Sequence, residues 1–343
     1  MDSITQAALG AALAGAMAGK TLGRSVLLTG AVLGTLPDLD VVIDYGTAVA
    51  NFTQHRGFSH SLFVLIPLSF LLAWVLARWK PDISYRRWLL LTGLILVTHP
   101  LLDAFTTYGT QLFWPFGDPV ALNSLFIIDP LYTLPLLVAL IAFLFRPNRP
   151  GPIFAGLAVS TLYLGWSLVA QQAITQRVAP VLAEAGLADT PVMVQPMPLN
   201  TVLWRITAMA EDRRVEMLAG FLDGDAPINV EIFPRDPALA RQALTLSEGQ
   251  RLDWFTGGFL HYEMRDSLLT ATDVRLGVPG AHPFTFVLAE DNGQGLAAAP
   301  SYQQDRPAVR SELFGVLWAR LTGSAPVLCL ATLELPPPGE RCS

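Results

Sequence analysis

The feature that most limits how this chain can fold is its series of apolar stretches, at about 62–79, 86–106, 131–145 and 151–172. At about 1.5 Å per residue, the last is long enough to cross a hydrocarbon core as a helix, whereas 131–145 is short for a full crossing. Two further stretches, about 4–19 and 25–36, are rich in Ala, Gly and Leu. Small residues let helices approach closely, so this pair reads as a packed hairpin inside a bundle. Charged residues make up 15% of the chain, against about 25% in an ordinary soluble domain, and the mean hydropathy is +0.44. Much of the chain therefore cannot face water. Met1-Asp2-Ser3 lacks the positive start of a cleaved signal peptide, so the first helix is expected to be retained.

Charge placement predicts an orientation. Lys20 and Arg24 fall between the first two stretches, Arg78, Lys80, Arg86 and Arg87 flank the next-but-one turn, and Arg146 with Arg149 mark the last. By the positive-inside rule these turns are cytoplasmic. The loops 37–61 and 107–130 carry Asp38, Asp40, Asp44, Asp118 and Asp129 but a single basic residue, Arg56. They should face outward, and six segments then place both termini and everything after about 176 outside.

Against this background seven residues stand out. Asp38 and Asp40 follow the second segment, His55 and His60 precede the third, His99 and Asp103 occupy the last turns of the fourth, and Asp129 precedes the fifth. All fall near the same outer face, where ionisable groups mark functional sites. His99 and Asp103, four apart on a helix, project from one face and can ligate one ion or adjacent ions. His55 and His60, with Gly57 between them, fit a loop turning into a helix. Asp38 and Asp40, just after Pro37, could bridge or flank a second ion. Imidazole with carboxylate suits Zn, Mn or Fe, and the expected cofactor is a divalent metal, zinc first and manganese as the alternative.

Some of these residues admit simpler readings. Asp129 before Pro130 could cap a helix, and Asp38 could be a turn residue. Arg56 could hold an anionic substrate group through its fork of donors or reach to lipid headgroups. Asp38 is the candidate general base as well as a ligand, and Asp38 and Arg56 are the expected catalytic residues. Ser59 and Ser61 read as hydrogen-bond partners of the buried histidines rather than as nucleophiles.

Met1-Asp2-Ser3-Ile4-Thr5-Gln6, Pro37-Asp38-Leu39-Asp40, His55-Arg56-Gly57-Phe58-Ser59-His60-Ser61, His99-Pro100-Leu101-Leu102-Asp103, Tyr108-Gly109-Thr110, Trp114-Pro115-Phe116 and Ile128-Asp129-Pro130-Leu131-Tyr132 occur in order over the first half of the chain. Together they resemble the YdjM-like family of membrane-bound metal-dependent hydrolases. The resemblance implies a hydrolase held in the bacterial cytoplasmic (inner) membrane. The helical HxxxD pair with further His and Asp ligands is also similar to zinc-dependent phospholipase C and P1-type nucleases, which would imply phosphoester hydrolysis. The full ligand set of those enzymes is not assignable here. A site at the outer membrane boundary would meet a membrane lipid or lipid-linked substrate.

After about 176 the count is 13 basic against 20 acidic residues. This is a soluble acidic domain without the basic patch that nucleic acid requires. Alternating runs near 201–209, 216–222, 228–234, 258–264, 268–276 and 283–289 read as strands, and 237–246 and 308–322 as helices. The expected fold is thus a multi-pass α-helical membrane domain over 1–176, carrying the metal site, followed by a soluble α+β domain over 177–343 on the periplasmic side. His261 and His282 lack ligand-like spacing and read as structural. Cys329 and Cys342, the only cysteines, could form a disulfide in an oxidising compartment. Two other function classes fit the composition: an ion transporter, which needs ligands spread through the bilayer depth, and a non-catalytic scaffold with a structural metal, which needs a closed site. An intramembrane metalloprotease does not fit, because HExxH is absent.

Overall fold

The computed structural model describes residues 1–147, 149–224, 226–306, 312–325, 327–337 and 342. The chain divides into two compact units. Met1–Ile43, Gln54–Val169 and Pro198–Asn200 form the first, and Asp44–Thr53, Ala170–Met197 and Thr201–Ser343 the second. The boundary read at 176 falls inside one long helix, Gly151–Glu184.

Helices build the first unit: α1 (Ser3–Leu22), α2 (Ser25–Thr35) continuing into a 3-10 helix (Leu36–Val42), a 3-10 turn (Phe58–His60), α4 (Leu62–Trp79), α5 (Tyr85–Asp103), α6 (Pro130–Phe145) and the start of α7 (Gly151–Glu184). A short α3 (Ala48–Gln54) interrupts this series. Ser25–Val42, Leu62–Trp79 and Gly151–Glu184 are long and apolar enough to cross a membrane, and Pro130–Phe145 is a shorter apolar helix. Along α4, Phe63, Phe70 and Trp74 are exposed, as befits a surface whose solvent is lipid rather than water.

The first two stretches do form a tight hairpin. A Cβ on Gly10 would lie 2.2 Å from the Gly30 carbonyl oxygen, so only glycine permits this approach. Asp2 caps α1 by accepting from the amides of Ile4 and Thr5, each at 3.1 Å. Behind the hairpin, Ala14, Ala18, Val26 and Leu33 pack with Trp88, Leu91 and Ile95. The segment 104–129 carries no helix and backs the turn before α4. Gln111 donates its amide to the Arg56 carbonyl at 3.0 Å, Leu62 to that of Leu112 at 2.9 Å, and the Ser61 hydroxyl to that of Trp114 at 2.7 Å.

Two four-stranded antiparallel sheets make the second unit, so the soluble domain is α+β. The first is β1 (Val192–Pro196), β2 (Leu203–Met209), β3 (Arg213–Gly220) and β4 (Val230–Pro234); the second is β5 (Leu260–Arg265), β6 (Leu268–Asp273), β7 (Thr285–Asp291) and β8 (Leu296–Gln303). Helices α8 (Pro237–Ala243) and α9 (Ser247–Thr256) join them, and α10 (Glu312–Leu321) follows. Trp204, Ile206, Val215 and Met217 of the first sheet pack on Ile174, Val178 and Leu182 of α7. The second sheet receives α3, which comes from the loop between Asp40 and His55: the Phe52 ring lies 5.2, 4.7 and 5.1 Å from those of Phe255, Phe284 and Phe286. A disulfide joins Cys329 and Cys342.

Candidate metal centre

Four side chains from three parts of the first unit converge: Asp38, His60, His99 and Asp103, with one ligand atom of each within 4.8 Å of all the others. The Asp38 Oδ1 atom lies 3.4 Å from His60 Nε2 and 3.4 Å from His99 Nε2. Asp103 Oδ2 lies 3.2 and 3.6 Å from the same two nitrogens, which are 3.1 Å apart. Four ligands around an ion at about 2.0–2.2 Å in a tetrahedron stand about 3.4 Å from one another. The donor set therefore fits a small divalent ion.

Hydrogen bonding decides which way the imidazoles face. His99 Nδ1 lies 2.6 Å from the Gly34 carbonyl oxygen, in the last turn of α2, where carbonyls lose their intrahelical partners. A carbonyl only accepts, so Nδ1 carries the proton and Nε2 turns its lone pair to the cluster. His60 Nδ1 lies 2.8 Å from Ser59 Oγ, and that hydroxyl donates to Asp40 Oδ2 at 2.7 Å. The Ser59 oxygen must then accept from His60, leaving the His60 Nε2 lone pair inward as well. Two lone pairs 3.1 Å apart beside two carboxylates are all acceptors.

Asp103 shows the same deficit within one carboxylate. Its Oδ1 accepts from Gln6 Nε2 at 3.1 Å and from the Met1 amino group, whereas Oδ2 is buried and takes no hydrogen bond. Burial opposes charge on the His60 imidazole, yet the neighbouring carboxylates of Asp103 and Asp38 together outweigh it and lift its pKa above the usual 6.5. The pocket calls for positive charge at its centre. One proton between the nitrogens would answer part of that demand, and a divalent cation answers all four acceptors.

The remaining expected residues take other places. In a 3-10 helix, residues two apart point about 120° away from each other, so Asp40 diverges from Asp38. Asp40 Oδ1 lies 2.9 Å from His55 Nδ1, and its Oδ2 accepts from the Arg56 amide at 2.9 Å. Neither Asp40 nor His55 belongs to the four-atom cluster. Asp129 caps α6, accepting from the amides of Leu131 at 2.9 Å and Tyr132 at 3.3 Å, and its other oxygen accepts from the Tyr163 hydroxyl at 3.0 Å. The seven expected ligands thus resolve into four that meet, two that pair beside them and one cap.

Arg56, read as holding an anionic substrate group or reaching to lipid headgroups, is turned inward and buried. Its guanidinium stacks on the Tyr108 ring at 5.1 Å, donates to Thr106 Oγ1 and the Met1 carbonyl at 3.4 Å each, and brings Nε to 3.4 Å from Asp103 Oδ2. Its backbone is left-handed, with φ 61°, a conformation that surrounding bonds must hold in place at about 1–3 kcal/mol. Gln6 was not anticipated as a partner of the centre. The available signal was a lone amide side chain at the start of an otherwise apolar, small-residue helix.

The YdjM inner membrane protein profile matches residues 1–174, a span that contains every residue of this centre. The chain belongs to the YdjM inner membrane protein family. It is 36% identical over 118 residues to the inner membrane protein YbcI of Escherichia coli (strain K12), covering 34% of this chain and 68% of that protein. It is 31% identical over 149 residues to the uncharacterized protein YfhP of Bacillus subtilis (strain 168), covering 43% of this chain and 45% of that one. No solved structure matches. The looser likeness to phospholipase C and P1-type nucleases gains no support from these matches. As a YdjM family member, the chain is an integral inner membrane protein carrying a possible metal-binding site.

Proposed function

We propose that this protein is a membrane-embedded metal-dependent hydrolase whose ion is held by Asp38, His60, His99 and Asp103. The observation that carries the reading is the convergence of four acceptors, with both imidazole tautomers fixed from outside and Asp103 Oδ2 without a donor. Two nitrogens and two oxygens at near-tetrahedral spacing favour zinc, with manganese second. A divalent ion held there supplies a Lewis acid that makes water nucleophilic near neutral pH and polarises the bond under attack.

The chain's own residues supply the rest. Asp38 is 16% exposed, against 0–1% for the other three, so it forms the open side and is the ligand that would give up its place to water and then accept that water's proton. His55, 27% exposed and braced by Asp40, stands partly open to solvent. Arg56 fixes Asp103 rather than reaching for substrate. Next to Asp38 along the 3-10 helix, Leu39, Val41 and Val42 are exposed, an apolar lip suited to a lipid or lipid-linked substrate. Phosphoesters are the first class to try. The loop charges support a site at the outer face and a periplasmic domain over 177–343, which a reporter fused after residue 176 would test.

Elemental analysis of detergent-purified protein should find stoichiometric zinc or manganese that disappears in His60→Ala/His99→Ala. Chelator-sensitive cleavage of phosphoester or lipid-linked probes should vanish with it. Metal without turnover on any probe would favour a structural ion, and no metal in the wild type would end the reading.

A further inference from the structure

Asp40 is the most heavily used carboxylate beside the centre, yet it offers no atom to the four-ligand cluster. Its Oδ1 meets His55 Nδ1 at 2.9 Å, and its Oδ2 accepts from the Arg56 amide at 2.9 Å and the Ser59 hydroxyl at 2.7 Å. A carboxylate has no proton to return, so the donors run one way, from His60 Nδ1 through Ser59 to Asp40. That direction leaves His60 a single tautomer, the one whose Nε2 can ligate. Without Asp40, the Ser59 hydroxyl could turn round and offer its proton to Nδ1, which would place the imidazole proton on Nε2 and block the site.

The same carboxylate also bears on a second ligand. Arg56 sits at φ 61°, and its amide is tied to Asp40. From that backbone its side chain reaches Thr106, the Met1 carbonyl and the neighbourhood of Asp103 Oδ2. One buried group therefore fixes the supports of both His60 and Asp103.

We propose that Asp40 is the positioning residue of the metal centre, acting on His60 through Ser59, and that His55 braces Asp40 instead of ligating. The proposal rests on the metal reading above and goes beyond it by assigning the relay Asp40–Ser59–His60. Partners of this kind orient the ring of a ligating histidine, and their loss weakens metal affinity by about 10–100-fold.

The test is zinc affinity of the full-length, chelator-stripped protein in detergent, titrated against a competing chromophoric chelator. Ser59→Ala removes one hydroxyl and should weaken binding by about 10–100-fold with the helical content unchanged. Ser59→Thr keeps the hydroxyl and should restore binding. Asp40→Ala should weaken it at least as much as Ser59→Ala, His55→Ala should weaken it less than Ser59→Ala does, and His60→Ala should abolish it. Wild-type affinity in Ser59→Ala would overturn the relay, as would a loss in His55→Ala as complete as that in His60→Ala. A wild-type protein that binds no zinc would remove the metal reading itself and the positioning role with it. Zinc bound normally by wild type and Ser59→Ala alike would remove the relay alone.

Discussion

The two units bury charge in opposite ways. In the second, each buried carboxylate of three ion pairs has its own guanidinium. Arg205 closes on Glu216 at 2.6 and 2.8 Å, Arg275 on Asp273 at 2.8 and 3.0 Å, and Arg320 on Asp223 at 2.8 Å. In the first, Asp38, Asp103 and two imidazole nitrogens turn toward one another, and Asp103 Oδ2 stays without a donor although Arg56 Nε is 3.4 Å away. In these pairs each carboxylate already has its donors. A ring of acceptors is complete only when something positive enters it, which separates a site from an architectural network better than burial does.

The sharpest way to break this comparison is to remove a cation from the matched side. The Asp273 carboxylate accepts from the Arg275 amide at 2.9 Å and takes its charged donors from Arg275 Nε and Nη2. Arg275→Met should leave a buried carboxylate uncompensated and destabilise the second sheet by about 3–5 kcal/mol. Hydrogen exchange over β5 and β6 reads that loss, while metal content should not change. An intact exchange pattern would mean that the pair contributes little, and lost metal would mean that the two kinds of buried charge are not independent.

A second test uses protons. His282 is buried, with Nδ1 2.8 Å from the Leu276 carbonyl, and burial first, then Arg205, pushes its pKa from 6.5 down to about 3. Below pH 6.5 the unfolded chain binds a proton that the folded one refuses, so stability is whole above 6.5, falls as the pH drops, and levels off near 3. At pH 5 the loss should be about 2 kcal/mol. His261, pushed down by burial and then by Arg214, adds loss of the same sign. Protection factors over β5–β7, which correct for the slower base-catalysed exchange at low pH, should therefore fall from pH 7 to 5, and His282→Asn, which keeps a donor for Leu276, should flatten part of that slope. An unchanged slope would assign the effect elsewhere.

What could be read from the chain depended on whether the pattern was local. Apolar runs give helices by themselves, and a four-residue step places His99 and Asp103 on one face, so the bundle and half of the centre were legible. Choosing among seven polar residues was not. Asp38 and Asp40 are the same residue type two apart, and only the twist of a 3-10 helix separates their roles. Arg56 reads as a surface cation until the left-handed backbone turns it inward. In the soluble domain β8 was hidden because Ala297, Ala298, Ala299 and Pro300 carry no strand propensity. The insertion of α3 into that domain rests on Phe52 meeting three distant aromatic rings, a contact no window of sequence contains.

Asp129 offers the smallest effect and the cleanest distinction, because it was expected as a ligand and is found as a cap. One of its oxygens accepts from the amides of Leu131 and Tyr132, the other from the Tyr163 hydroxyl, so both are occupied before any ion is considered. A helix cap contributes about 1 kcal/mol, and asparagine caps nearly as well as aspartate. Asp129→Ala should therefore lower stability by about that amount with metal content intact, and Asp129→Asn should recover most of the loss. A ligand behaves otherwise: asparagine would not replace the carboxylate charge, and metal would be lost in both variants. If metal disappears from Asp129→Asn while the fold survives, the centre extends to α6, and the line drawn between satisfied carboxylates and those awaiting a cation fails at this residue.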